Sequence, residues 1–493
     1  MTLPGKRAWW VFLAAALLIA GCESPRKDVI VFAIATAPVS LHPFLANDAT
    51  SERINALIYR PLIEFDQAQR PVAGQVEWEQ QSTTHYRLRL RAGIVPFSDG
   101  TLPTLQDVSQ TLRQASSDPR SPHAVTLAHI HSLSVQEEQY LDVHLSRPDP
   151  RFAEKLHIGL APADRLTDDS LMREPMGNGV FVLQHWDAQN NLMLRRRDGQ
   201  LLRFEVVPDP TMRALKLIRG EVQLLQNDLP YELYPLLKEK PDIELRSNQG
   251  ATFAYLGFNL EDELTGDRRV RQAISHAVDR ETIVKYLFQG NAQITNTLLR
   301  PEHWAAHRAL PAYAFDLQRA KGLLEELGYS EANPLVLSYK TSTDPFRLRI
   351  AAVLQAQLAE VGIKLDIQSY EWGTFFGDIK AGRFQMYSLS WVGIRSPDIF
   401  RYVFHSESLP PNGANRGRYR SSLTDALIEE ADALPSEKAA TAYHRAQEQI
   451  HRDLVYVPLW HENNLLLTRG IDAPGPATDG NYRFLERISL RHD

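Results

Sequence analysis

Residues 267–281 read Asp267-Arg268-Arg269-Val270-Arg271-Gln272-Ala273-Ile274-Ser275-His276-Ala277-Val278-Asp279-Arg280-Glu281. Val270, Ala273, Ile274, Ala277 and Val278 recur at the spacing of one helical face, so the segment predicts a helix with an apolar stripe. Asp279, followed by Arg280 and Glu281, is placed to cap and charge the start of a second helix carrying Ile283, Val284 and Leu287, which Gly290 stops. Downstream, Asp316 is an N-cap for a helix bearing Ala320, Leu323, Leu324 and Leu327, with Gly328 just past its end. Leu335 and Leu337 then read as a strand, Leu348 to Val361 as a helix ending at Gly362, Ile363, Leu365 and Ile367 as a strand, and Phe384 to Trp391 as another. This alternation predicts an α/β lobe with largely parallel pairing. Upstream, from about Val29 to Leu225, the pattern is mostly period two: Tyr86, Leu88 and Leu90 alternate with arginines, and Leu141, Val143 and Leu145 with polar neighbours.

The chain has 493 residues and a single cysteine. That length predicts two to four domains at roughly 100–200 residues each, and one cysteine excludes a disulfide scaffold. Hydrophobic residues make up 43% and charged residues 23%, the composition of an ordinary folded protein. The net charge of −6 argues against nucleic acid as the main partner.

Lys6 and Arg7 precede an apolar run from Ala8 to Ala20, too short to span a bilayer comfortably, which has the shape of a secretory signal. It ends Leu18-Ile19-Ala20-Gly21-Cys22 and resembles the lipobox of bacterial lipoproteins. That resemblance implies a signal peptide over 1–21, acylation of Cys22, and a body held outside the cytoplasm at a membrane surface by its lipid.

Catalytic patterns do not emerge. His461-Glu462 lacks the second histidine of a zinc-protease helix, and there is neither a G-x-S-x-G elbow nor a P-loop. Gly177-Asn178-Gly179 is half of a dinucleotide loop without its third glycine, and His123, His129 and His131 are the densest histidines. Acylation would remove Cys22 as a nucleophile. The expectation is a non-enzyme without cofactor or resident metal.

Several segments, in order, resemble family 5 of the bacterial extracytoplasmic solute-binding proteins, the peptide- and nickel-type receptors of ABC importers. Ser40-Leu41-His42-Pro43 looks like the family's opening loop, Ile58-Tyr59-Arg60-Pro61-Leu62 like its "iyepL" segment, and Leu90-Arg91-Ala92-Gly93 with Phe97-Ser98-Asp99-Gly100-Thr101 and Asp107-Val108 like its signature. Pro175 to Phe181 sits where the family has "P-x-G-T-G-P-Y", with Asn178, Val180 and Phe181 substituted. Gly257-Phe258-Asn259 and the 267–281 stretch match most closely. Because that stretch is accounted for by an apolar stripe and a cap, it marks a fold rather than a ligand.

The resemblance implies an α/β, two-lobed, periplasmic-binding-protein-like fold with an extra subdomain on the first lobe and a hinge between the lobes. The first lobe maps to 28–44, 175–252 and 462–493, the extra subdomain to 45–174, and the second lobe to 253–461, with hinge crossings near 253 and 461. Ligand would be held by both lobes only in the closed state, which a permease would recognise. The pocket implied by the resemblance includes Ser40, Leu41, Thr341, Trp372 of Tyr370-Glu371-Trp372-Gly373, and Trp391, Gly393 and Ile394. Dipeptide-binding members carry an Asp where Ile394 stands and an Arg where Thr341 stands, so both charged anchors for a zwitterionic ligand are absent, unless Lys340 or Asp398 replaces them. The expected ligand is a longer peptide gripped through its backbone, or a small organic solute without both free termini. Expected partners are that ligand, an ABC permease and the membrane through the lipid anchor, the protein itself being a monomer. Two alternatives stay open: a metal-chelate receptor using His405 or His461, and an extracytoplasmic sensor or accessory protein without a transporter.

Overall fold

A computed structural model describes residues 29–46 and 48–491; the signal segment 1–21 and Cys22 lie outside the described residues. The 267–281 stretch forms the helix Arg268–Ala277, whose N-cap Asp267 accepts from the Arg269 amide, and the helix Arg280–Tyr286, whose N-cap Asp279 accepts from the Thr282 amide. Val270, Ala273, Ile274 and Ala277 are buried on the inner face. Arg271 is buried as well, and its guanidinium is solvated by backbone, donating to the carbonyls of Thr265, Gly266, Asp453 and Leu454 at 2.7–2.9 Å. Burial pushes it down to about 10. The remaining elements of this lobe form as their periodicity predicts: helices Leu317–Glu325 and Pro345–Ala359, the former capped by Asp316, and strands Leu335–Ser342, Ile363–Tyr370 and Met386–Trp391.

The pairing of these strands corrects the expectation of a largely parallel sheet. Leu335–Ser342 does run parallel to Ile363–Tyr370 and to Met386–Trp391, but the sheet continues through antiparallel strands. It has eleven strands, in the order Ile363–Tyr370, Leu335–Ser342, Met386–Trp391, Ile243–Phe258, Tyr456–Arg469, Leu224–Gln226, Val29–Ile34, Leu201–Val206, Leu192–Arg196 and Phe181–Trp186, with Ala292–Ile294 beside Tyr456–Arg469. The physical reason lies at its centre. Ile243–Phe258 carries the chain out of the first half and Tyr456–Arg469 brings it back alongside, and neighbours running out and back must be antiparallel. With 16 residues, the outgoing strand reaches about 50 Å at ~3.3 Å per residue, enough to belong to two lobes.

Both faces of the second half of that strand are buried. Phe253 and Tyr255 enter one core of the second lobe with Phe375, Tyr387, Phe400 and Tyr456, while Ala254, Leu256 and Phe258 enter the other with Val270, Ile274, Leu337 and Trp460. A separate antiparallel sheet, Val76–Ser82, His85–Leu90, Tyr140–Leu145 and Ile130–Gln136, carries the period-two segments read from the sequence. One continuous core joins it to the first lobe, running from Phe32 and Phe204 through Leu41, Tyr59 and Leu88 to Val143 and Phe484. The helix Ala49–Ile58 packs against the strand Phe181–Trp186 and the short 3-10 helix Arg483–Arg487. The Gly177-Asn178-Gly179 segment crosses the end of that helix: a Cβ on Gly177 would overlap the Ile58 carbonyl, and one on Gly179 the Leu57 carbonyl. These glycines serve close backbone approach rather than a nucleotide. Asn178 is fully buried, accepting from the Arg60 amide at 3.1 Å and donating to Gln75 at 2.8 Å.

Candidate functional site at the lobe junction

The two long strands break register between the lobes. Gln249 pairs with Asn463 and the next pair is Thr252 with Glu462, so Gly250 and Ala251 bulge out of the ladder. Ala251 donates instead to the Thr478 carbonyl at 2.9 Å, and a Cβ at Gly250 would strike the Glu462 carbonyl. Immediately beyond the bulge, Phe253 pairs with Trp391 on one side and His461 on the other.

From that point an aromatic wall extends along the second lobe. Tyr255 stacks on Tyr456 at 3.9 Å and lies nearly parallel to Trp391 at 6.5 Å. Trp372, at the start of the helix Trp372–Ala381, stacks on Phe376 one turn later at 5.4 Å and is 54% exposed. Between the two groups lies Arg416, its guanidinium 4.5 Å from the Trp391 ring and 5.1 Å from that of Phe376. Tyr402, half exposed, meets Trp391 edge-on at 6.2 Å. Exposed aromatic rings beside a cation supply an apolar surface for an organic ligand with little side-chain entropy to lose.

The candidate residues read from the sequence are distributed unevenly around this wall. Trp372 and Trp391 belong to it; Gly393 takes a left-handed conformation with φ of 66° just after Trp391, and Ile394 packs against the adjoining core. Thr341 is buried on the strand Leu335–Ser342. Leu41 has no exposed surface and sits in the first-lobe core, and Ser40 is buried, its hydroxyl accepting from the His42 amide at 3.1 Å. Lys340 and Asp398 are not free to replace the missing anchors. Lys340 is paired with Asp378 at 2.6 Å, and Asp398 with Arg151. The histidines do not gather: His129 pairs with Asp149 at 2.9 Å, His131 is exposed on its strand, His405 meets Glu429 at 3.2 Å, and His461 is buried at the crossing, pushed down to about 4 by burial. Among the described residues no three His, Cys, Asp or Glu side chains are grouped to hold a metal ion.

Arg151 gave no signal in the sequence, yet it is the main polar tie across the junction. Carried just ahead of the 3-10 turn Phe152–Lys155, it is 5% exposed and reaches the second lobe, where it meets Asp398, the Tyr443 hydroxyl and, at 3.1 Å, Asp432. Glu154 crosses beside it, accepting from the hydroxyls of Ser436 at 2.6 Å and Ser396 at 3.3 Å. Burial, with the nearby Asp398 charge, pushes Glu154 up to about 7. Arg395 reaches back from the second lobe to Asp479 at 3.1 Å, and on the other flank Arg347 meets Glu462 at 3.3 Å while Arg349 meets Glu232. Tyr231, Phe288 and Phe346 close this flank with ring centroids 4.9–5.3 Å apart. The lobes are therefore in contact around the aromatic wall.

Two lobes joined by a crossing pair of strands, with an aromatic wall at their junction, make up the two-lobed architecture found among solute-binding proteins. The chain belongs to the bacterial extracellular solute-binding proteins, family 5, whose model matches residues 42–408. It is 28% identical to the probable di/tripeptide-binding protein 5 of Pseudomonas aeruginosa, over 94% of this chain and 95% of that protein. In fold it is similar to NikZ of Campylobacter jejuni in complex with Ni(L-His), with a TM-score of 0.78 and 21% identity over 94% of this chain and 99% of the other. It is likewise similar to DppA of Helicobacter pylori in complex with the peptide STSA, with a TM-score of 0.74 and 24% identity over 94% and 99%.

Proposed function

We propose that this chain is the ligand-capturing component of an ABC importer, closing its lobes over a peptide or a related small organic solute. The observation that carries this reading is the junction itself: a wall of Trp391, Trp372 and Phe376, backed by the buried Tyr255 and framed by ties between the lobes at Arg151 and Arg395. Ligand bridging both lobes adds to those ties, so it shifts the population toward the closed form that a permease reads. In this reading the first lobe comprises 28–44, 175–252 and 462–493, the extra subdomain 45–174 and the second lobe 253–461. The register break at Gly250 and Ala251 supports a hinge there. The wall residues Trp372 and Trp391 contact the ligand, with Gly393 and Ile394 beside them. Thr341 and Ile394, where charged anchors would stand, support a solute not held by two free termini.

Native mass spectrometry of the purified protein, with small-angle scattering before and after removal of what it carries, tests the receptor reading. Release of a peptide or organic solute with expansion of the particle is expected; a protein that carries no solute, and binds none from a peptide pool, refutes it. We place the protein outside the cytoplasm, held at a membrane by acylation of Cys22, a reading supported by the charged and apolar segments before that residue. Incorporation of labelled fatty acid that is lost in Cys22→Ala is expected, and equal labelling of both would overturn it.

A further inference from the structure

The charges around the lobe junction do not balance in the way that a receptor for zwitterions requires. Among the described residues, the carboxylates that tie the junction are already held by cations or hydroxyls, whereas Glu371 beside Trp372 is exposed and accepts only from the Gly373 amide. Asp398 and Asp432 are held by Arg151, the latter also by Arg401 at 2.6 Å; Asp479 is held by Arg395, Glu462 by Arg347, and Asp378 by Lys340 and by Arg383 at 2.6 Å. Glu154 is spent on two serine hydroxyls. At each of the ion-paired carboxylates an incoming ammonium would have to displace an arginine or lysine, leaving a charge unpaired.

Arg416 is the opposite case. Among the described residues it is in no ion pair, although it is only partly exposed. Among the described residues its guanidinium makes one hydrogen bond, from Nη1 to the Tyr255 hydroxyl at a long 3.3 Å. The neighbouring phenols of Tyr387 and Tyr456 are pushed well up by burial, so they remain neutral and do not balance the cation. The guanidinium lies within cation–π distance of the Trp391 and Phe376 rings, contacts that do not consume its N–H donors. None of those nitrogens is both buried and without a partner, so the remaining donors reach the surface beside Trp391. Trp391 in turn opens the segment that meets the first lobe through Arg395 and the extra subdomain through Asp398.

We propose that Arg416 is the anchor for a ligand carboxylate in the interlobe site, and that the solute class is a carboxylic acid without a required free ammonium, such as an N-blocked peptide acid. This rests on the receptor reading above. A guanidinium can present paired N–H donors to a planar carboxylate, a geometry that a neutral amide cannot match. The aromatic wall takes the ligand's apolar part.

The test uses two matched pools of N-acetylated tetrapeptides, one ending in free carboxylates and one in amides, measured by native mass spectrometry against the full chain and the variants Arg416→Met, Arg416→Lys and Trp391→Ala. The unsubstituted protein is expected to prefer acids over amides by about ten-fold or more. In Arg416→Met the preference for acids should collapse to within about two-fold, and Arg416→Lys should retain a reduced preference. Equal binding of acids and amides by the unsubstituted protein overturns the assignment, as does an acid preference that survives in Arg416→Met. If the pools bind equally and Trp391→Ala abolishes that binding, Arg416 alone is misassigned and the receptor reading stands. If neither pool binds, the carboxylate assignment falls, and the receptor reading falls with it only if the purified protein also releases no solute.

Discussion

Glu154 makes the lobe junction a titrating contact, and replacing it with glutamine isolates that effect. Its carboxyl is 7% exposed and is pushed up from 4.5 to about 7, first by burial and then by the Asp398 charge, with Ser436, Arg151 and Ser396 pulling the other way. A carboxyl that is harder to ionise when folded stabilises the folded state fully below its unfolded pKa, and that contribution is lost as pH rises through the folded pKa. The window is therefore pH 4.5 to about 7. A difference of about 2.5 units corresponds to about 3 kcal/mol at 1.36 kcal/mol per unit. Glutamine keeps an acceptor for the Ser436 and Ser396 hydroxyls but cannot ionise. Urea unfolding of both proteins, followed by tryptophan fluorescence from pH 5 to pH 8, should show Glu154→Gln gaining on the unsubstituted protein by about 2–3 kcal/mol across that range. Ser436→Ala supplies the internal control: losing a donor to the carboxylate extends the loss of stability to higher pH and enlarges it, because the ionised form becomes costlier and the carboxyl pKa climbs further above its unfolded value. Stability curves of the two proteins that stay parallel from pH 5 to pH 8 would refute the reasoning, as would a Glu154→Gln protein that falls behind at pH 8.

Further perturbations test the scaffold and the junction ties. Arg271→Met removes a buried guanidinium shared by the carbonyls of Thr265, Gly266, Asp453 and Leu454; it should lower stability by about 3 kcal/mol or more in urea unfolding, and an unchanged midpoint would contradict that role. Gly177→Ala should destabilise by roughly 2 kcal/mol or more, since its Cβ meets the backbone carbonyl of Ile58 and not a side chain that can move away. A melting temperature equal to that of the parent would count against it. Arg151→Ala leaves Asp398 and Asp432 facing each other without their shared cation, so scattering should report a more open particle without ligand; an unchanged radius of gyration would show that the tie does not hold the lobes together.

How much of this was legible in advance follows from the range of the interactions. Asp267, Asp279 and Asp316 each cap a helix through an amide two or three residues on, and the stripe from Val270 to Ala277 needs only the helical period to be seen. These are contacts within a single turn, so the residues that make them are adjacent in the chain. Trp372 and Trp391 could be picked out because aromatic residues at these positions recur in a familiar order, and both stand on the wall. Arg416 could not: it lies in a loop without periodicity, and its meaning comes from Tyr255, Phe376 and Trp391, up to 161 residues away. The same holds for Lys340 and Asp398, which look available along the chain and are occupied in space.

The sequence by itself determined the local elements, the family and the uncharged residues at Thr341 and Ile394, because periodicity, capping and residue identity are properties of neighbours. Only the tertiary structure decided the mixed pairing of the sheet and the state of each charge at the junction. Ile243–Phe258 must run against Tyr456–Arg469 because one leaves a lobe and the other returns to it, across some 200 residues of intervening chain. Arg151 meets Asp398 across a separation of 247 residues, and that single contact turns the most available acid of the site into a tie between lobes. Electrostatic pairing acts through space over a few ångströms, so which charges remain for a ligand is settled only when distant segments are brought together.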